Sequence, residues 1–183
     1  MRFLLPTIIL IAFIFSGCSE KDELNEQQIK QVQTEEKKDN NKILLTEISG
    51  KQITLNVTDK GFVFEEFKDK VVLLNFFTTW CPPCKAEIPH LNSLQNRYKN
   101  QLQIISILLE EKKENQEIIS FMNTNNIEYT ITNSPENFKL ANHIGGVKSI
   151  PYMIIYDKNG TYFKHYVGAI PEEMIEADLK KVM

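Results

Sequence analysis

The sequence predicts an α/β domain, with a mixed central sheet flanked by helices on both faces. Two near-continuous apolar runs, Val71–Phe77 and Tyr152–Tyr156, read as strands buried on both sides. Apolar residues at helical spacing follow the first run, at Ile88, Leu91, Leu94 and Tyr98. The turn Asp157-Lys158-Asn159-Gly160 follows the second run and leads into Tyr162–Val167, rich in aromatic and β-branched residues. That pattern is a hairpin, so at least one strand of the sheet is antiparallel.

In chain order, Gln52 to Val57 and Phe62 to Phe64 predict a short N-terminal strand pair. The strand at 71–77 and the helix after it come next, and Gln103 to Leu109 reads as a second buried strand. Ile118, Ile119, Phe121 and Met122 mark another helix, and Tyr129 to Thr132 a short added strand. After the hairpin, Pro171 opens a last helix with Glu172 and Glu173 in its first turn and Lys180 and Lys181 in its last. Those charges complement the helix dipole at both ends. The predicted order is β-α-β-α-β-β-α with one added strand, and no internal repeat is visible.

Composition narrows the function classes. The 183 residues are 42% hydrophobic and 25% charged, as in an ordinary globular protein. A net charge of −3 offers no basic footprint, which argues against a nucleic-acid partner. Three cysteines are too few for a disulfide scaffold and cannot all pair within one chain.

The N-terminal residues read as address rather than fold. Arg2 is followed by an apolar run from Phe3 to Phe15, well short of the roughly 20 residues of a membrane-spanning helix. A charged start, an apolar stretch and small residues make a secretory signal over residues 1–17. The run ends Phe15-Ser16-Gly17-Cys18, which resembles a bacterial lipobox, with Phe15 standing where Leu is usual. The resemblance implies that Cys18 is lipidated and becomes the first residue of the mature protein. Residues 18–42 would then be a lipidated N-terminus and a flexible charged tether, because Leu24, Ile29 and Val32 are its only large apolar residues before the domain. As a coil it reaches about 25–30 Å. Residues 43–183 form the domain, expected outside the cytoplasm, where disulfides persist.

The chemistry centres on Cys81-Pro82-Pro83-Cys84, placed where a buried strand ends and a helix begins. Unpaired N–H groups in the first helical turn, together with the dipole, favour a thiolate there. Motifs of this spacing lower the first cysteine's pKa from about 8.5 toward 7 or below. Pro82 and Pro83 are tolerated because first-turn amides have no intrahelical partner. The spacing alone also admits half of a zinc site or a purely structural disulfide. Zinc needs two further ligands, and His90, His143 and His165 are scattered singly, so no metal is expected. A loop this short gives a disulfide little entropic effect, so redox chemistry is the favoured reading.

The stretch VVLLNFFTTWCPPCKAEIP, residues 71–89, resembles the active-site block of the thioredoxin-like TlpA/ResA/CcmG family of extracytoplasmic thiol–disulfide oxidoreductases. ANHIGGVKSIPYMIIYDKNG, residues 141–160, resembles the same family's second block. The resemblance covers about residues 51–183. It implies a thioredoxin-like fold with an inserted helix and strand, here residues 114–132. It makes Trp80 a flat apolar wall beside the cysteines, and Pro89 a kink in the helix.

From sequence alone Pro151 reads as a trans proline at a strand start. The resemblance instead makes Ile150-Pro151 a cis peptide in a loop that faces the cysteines and offers backbone to substrate. Glu87 by itself reads as a surface residue, although its spacing from Cys84 puts both on one helical face. Thioredoxins of the cytosol carry a buried Asp where this chain has Asn75, whereas the resembled branch places a glutamate where Glu87 stands. Glu87 is therefore expected to be the proton-handling carboxylate.

The implied activity is attack by Cys81 on a protein disulfide and resolution by Cys84. The cysteine pair is itself the redox group, and no dissociable cofactor is expected. The family implies a reductase acting on proteins such as apocytochrome c during cytochrome c maturation, re-reduced by a membrane electron donor of the CcdA/DsbD type. The enzyme is expected to be a monomer held to a bacterial membrane by its N-terminal lipid. A disulfide donor or isomerase for secreted proteins is the redox alternative. A lipid-tethered binding module without turnover is the alternative outside catalysis. A peroxidase is disfavoured, since no resolving cysteine follows Leu109.

Overall fold

The structure is a computed structural model that describes residues 41–183. The predicted export signal, the lipidation site Cys18 and the tether up to residue 40 lie outside the described residues. Lys42, assigned above to the tether, is instead the first residue of a strand. Two sheets form. The first is antiparallel, with β1 (Lys42–Thr46), β2 (Gln52–Thr58) and β3 (Gly61–Phe64) in that order. The predicted strand pair is β2 and β3. The sequence concealed β1 because Leu44, on its outer side, is apolar and half-exposed, which masks the alternation of buried Ile43 and Leu45.

The second sheet has the order β6-β5-β4-β7-β8. Its strands are β4 (Val71–Phe77), β5 (Leu102–Leu108), β6 (Thr130–Thr132), β7 (Tyr152–Tyr156) and β8 (Tyr162–Val167). β4, β5 and β6 run parallel, while β7 is antiparallel to both β4 and β8. Every residue of β4 is buried, as its apolar run requires of a central strand. Among the described residues, four α-helices accompany the sheet: α1 (Pro82–Arg97), α2 (Asn115–Thr124), α3 (Glu136–His143) and α4 (Glu172–Leu179). The insertion expected at 114–132 is α2 and β6, and this mixed architecture is the one that the resemblance implied.

Helix α3 was not predicted. It has eight residues, and one of its three buried positions is the polar Asn137, so its apolar period is too short to read. Asn137 is buried because its amide is fully used. It donates to the carbonyls of Leu108 and Thr132 at 2.9 and 2.8 Å and accepts from the Thr132 hydroxyl at 2.9 Å.

The core has two halves, one on each face of the larger sheet. Val71, Leu73 and Phe77 pack with Ile88, Leu91 and Leu94 of α1, Ile118 of α2, and Ile175 and Leu179 of α4. On the other face, Val72, Leu74 and Phe76 pack with Leu140 and Ala141 of α3. Most of that second cover is the small sheet, through Ile43, Leu45, Ile53, Leu55, Phe62 and Phe64. Helices do lie on both faces, but one face is shared with a sheet. No helix among the described residues is long and apolar enough to cross a membrane.

Candidate active site

Strand pairing brings the two sequence blocks to one end of the sheet. β4 ends at Phe77, and four residues separate it from the start of α1 at Pro82. Phe76 pairs with Tyr152, the first residue of antiparallel β7, so the start of β7 lies beside the end of β4. Pro151, immediately before β7, therefore shares an edge with the cysteine loop. The Ile150–Pro151 peptide is cis. Ile150 packs against the core cluster that contains both cysteines, and Gly168 donates its N–H to the Pro151 carbonyl at 2.8 Å.

Cys81 and Cys84 are joined as a disulfide. Cys81 is the N-cap residue of α1, with extended backbone, and its Sγ accepts from the Cys84 N–H at 3.2 Å. An N-cap side chain takes an amide that the helix cannot satisfy. When the pair is reduced, the same amide and the helix dipole favour a thiolate at Cys81. Pro82 and Pro83 occupy the first two helical positions, where the missing N–H costs nothing. Pro89 lies inside α1.

Both cysteines are nearly covered, yet Trp80 beside them is 67% exposed. A large indole left in solvent next to a reactive sulfur is an apolar contact surface. The loop is also held from behind, since the Thr79 N–H donates to the partly buried Glu110 carboxylate, which Lys113 approaches at 3.8 Å. Glu110 was not singled out from the sequence, where it is one of several acidic residues.

Glu87 is 2% exposed, one of the few carboxylates buried in the domain. It lies on the inner side of α1 with Cys84, Ile88 and Leu91. Its Oε1 accepts from the Ile170 N–H at 3.0 Å, while Oε2 is buried without a partner. Burial pushes its pKa up to about 7, opposed by the Ile170 amide and by the charge of His90. An acid so placed is half ionised at neutral pH, the condition for taking and returning a proton there.

Asn75, noted in the sequence only as a departure from thioredoxins of the cytosol, is 2% exposed on the same face of the sheet. The histidines do not converge. His90 pairs with Glu172, His143 packs against Phe62, and His165 meets the Tyr162 hydroxyl. Among the described residues, no three His, Cys, Asp or Glu side chains are grouped as metal ligands are.

Residues 69–162 match a family model described as thioredoxin-like. The thiol-disulfide oxidoreductase ResA of Bacillus thuringiensis (strain Al Hakam) is 28% identical over 140 residues, covering 76% of this chain and 73% of that protein. The thioredoxin-like protein YneN of Bacillus subtilis (strain 168) is 28% identical over 116 residues, 63% of this chain and 66% of its own. Among solved structures, a thiol:disulfide interchange protein from Chlorobium tepidum TLS superposes with a TM-score of 0.63 at 23% identity, covering 77% of this chain and 92% of that one. StoA from Bacillus subtilis does so with a TM-score of 0.58 at 22% identity, over 75% and 95%.

Proposed function

The chain belongs to the thioredoxin-like family, and from that premise we propose that it is a reductase of protein disulfides working outside the cytoplasm. It is a thiol–disulfide oxidoreductase of the ResA type. The observation that carries the finer reading is the bonded Cys81–Cys84 pair at a helix N-terminus, flanked by exposed Trp80 and backed by buried Glu87.

In the reduced enzyme, the Cys81 thiolate attacks one sulfur of the substrate disulfide. A mixed disulfide forms and the other substrate sulfur leaves as a thiolate, which takes a proton from solvent. Glu87 removes the Cys84 proton, and the Cys84 thiolate then attacks Cys81. This closes the enzyme disulfide and releases the second substrate thiol. Two electrons pass to the substrate, and the pair needs no dissociable cofactor. The cis Ile150–Pro151 loop lies at the same end of the sheet to align the substrate's backbone, with Trp80, Pro82 and Pro83 as the surrounding surface.

Substrates with closely spaced cysteines, such as apocytochrome c, fit this direction. A membrane electron donor of the CcdA/DsbD type would restore the dithiol. A monomer anchored through lipid on Cys18 keeps the domain near both.

A Cys84→Ser variant leaves Cys81 unable to be resolved, so it is expected to retain its substrate as a mixed disulfide identifiable by mass spectrometry. The reduction potential of the wild-type pair checks direction. A reducing value supports the reductase, and one near about −120 mV, at the oxidising end of such pairs, would make the protein a disulfide donor.

A further inference from the structure

The segment between β8 and α4, Gly168-Ala169-Ile170-Pro171, is bonded to two parts of the site at once. Gly168 donates its N–H to the Pro151 carbonyl at 2.8 Å. Two residues later, Ile170 donates its N–H to Glu87 Oε1 at 3.0 Å. Gly168 and Ile170 are half-buried while Ala169 between them is exposed, so alternate residues face the protein. The Ile150 and Ile170 side chains both pack against the core cluster that contains Cys81 and Cys84. Beyond Ile170 the chain is fixed to α1. Glu172 takes His90 at 3.3 Å, Ser93 at 2.7 Å and Arg97 at 3.1 Å.

The two oxygens of Glu87 are not equivalent. Oε1 is taken by the Ile170 amide, whereas Oε2 is buried without a partner and is the open place for a proton. A hydrogen bond from an amide to a carboxylate is charge-assisted, and about twice as strong as one to a neutral group. Protonation at Oε2 therefore weakens the hold on Ile170 at Oε1. The segment that Ile170 belongs to carries that change to Gly168, and through it to the Pro151 carbonyl.

We propose that residues 168–170 are a proton-operated clamp, in which ionised Glu87 holds Ile170 and so sets the Ile150–Pro151 loop for the substrate's backbone. Gly168 and Ile170 are then positioning residues. The clamp rests on the reading of Glu87 as the proton-handling carboxylate and of that loop as the substrate's support. In the resolving step the S–H bond of Cys84 breaks and an O–H bond forms at Glu87 Oε2. No electrons change hands there, and the grip on Ile170 slackens. Cys84 then displaces the substrate sulfur from Cys81, so the loop loosens as the product leaves. The departing thiolate takes the proton from Glu87, which restores the carboxylate and the clamp. Such coupling is reciprocal, so bound substrate in turn favours ionised Glu87. The other titratable groups around Glu87 are Cys81, Cys84 and His90 of the α1 region, Glu172 of α4 and the Tyr129 phenol. β4 and β5 carry no charged side chain, and Lys164 and Tyr166 of β8 are engaged by Asp178.

Single-turnover oxidation of the pre-reduced protein by a synthetic Cys-Ala-Ala-Cys peptide disulfide tests the clamp. Trp80, the chain's one tryptophan, reports closure of the neighbouring Cys81–Cys84 pair by fluorescence. In wild type the half-saturating peptide concentration is expected to fall about three- to tenfold between about pH 5 and about pH 8.5. Ile170→Pro deletes the donor and leaves Glu87 and His90 in place, so its value should stay at the acid level throughout. Glu87→Gln should be equally flat. A wild-type value that does not change with pH, or an Ile170→Pro value that falls as wild type does, overturns the clamp. If Ile170→Pro fails to fold, Gly168→Ala decides in the same way. A Cβ at Gly168 meets no atom within 4 Å, but its φ of +84° strains an alanine and disturbs the bond to Pro151. The limiting rate is a separate readout. An unchanged limiting-rate pH profile in Glu87→Gln removes Glu87 from proton transfer, while a lost pH response of half-saturation still upholds the clamp.

Discussion

Glu87 sits in the dry layer between α1 and the sheet, and a carboxyl in that position ties folding to pH. Its pKa of about 7 in the folded protein lies above the ordinary carboxylate value of 4.5. The folded state therefore holds a proton that the unfolded chain releases. The associated stability is complete below about pH 4.5 and is lost as pH rises through 7. The full loss is about 3 kcal/mol. Glu87→Gln keeps an acceptor for the Ile170 amide and removes the charge. Urea unfolding of the oxidised variant should therefore gain about 2–3 kcal/mol relative to wild type between pH 5 and pH 8.5. Parallel behaviour of the two proteins across that range would mean that the acid is solvated. The sequence placed Glu87 on the cysteine face by its spacing of three, but a glutamate at that spacing suits a wet face equally well. Only its distance from solvent distinguishes the two.

At the scale of elements, legibility followed the length and polarity of each segment. β4, β7 and α1 were readable because their apolar periods run for several residues and are buried as the pattern implies. β1 and α3 were not, since one is five residues long with an apolar outer residue and the other carries a buried amide. Asn137 is the reason α3 sits where it does, bonding to the end of β5 and to β6. Asn137→Ala strands the Thr132 hydroxyl and two carbonyls and is expected to cost about 2–3 kcal/mol, measured by denaturant unfolding. Its thiol chemistry should be little changed, because α3 covers the face of the sheet opposite α1. A similar logic holds α4. Asp178 is buried, accepting from Lys164 and Tyr166 of β8 and from Lys181, and these partners hold its carboxyl well below the usual range.

At the scale of the whole domain, the two sheets are stitched at the turn between β7 and β8. Phe62 donates its N–H to the Gly160 carbonyl at 2.9 Å, and Tyr162 donates to the Lys60 carbonyl at 2.8 Å. Gly160 has φ +78°, and a Cβ there would lie 2.1 Å from the Phe62 carbonyl oxygen. Gly160→Ala is thus expected to lower stability by about 2 kcal/mol or more, through backbone strain and separation of the sheets. The rate of disulfide reduction by the folded fraction should stay near wild type, and a loss of rate without loss of stability would contradict this placement.

The sequence by itself determined the α/β class, the central strands, the position of the cysteine pair at a helix start and the residues that resemble a known redox family. These are local matters of period, turn chemistry and spacing within a few residues, which need no knowledge of what lies across the sheet. The burial of Glu87, its Ile170 partner, the meeting of Asn75 with Ser106, and the small sheet over the second face were decided only by tertiary structure. A polar residue inside an apolar strand was visible at Asn75 and again at Ser106, which was the available signal. What remained hidden was register, because only pairing between strands distant in sequence puts two such residues side by side, and only helix docking buries the Glu87 carboxyl.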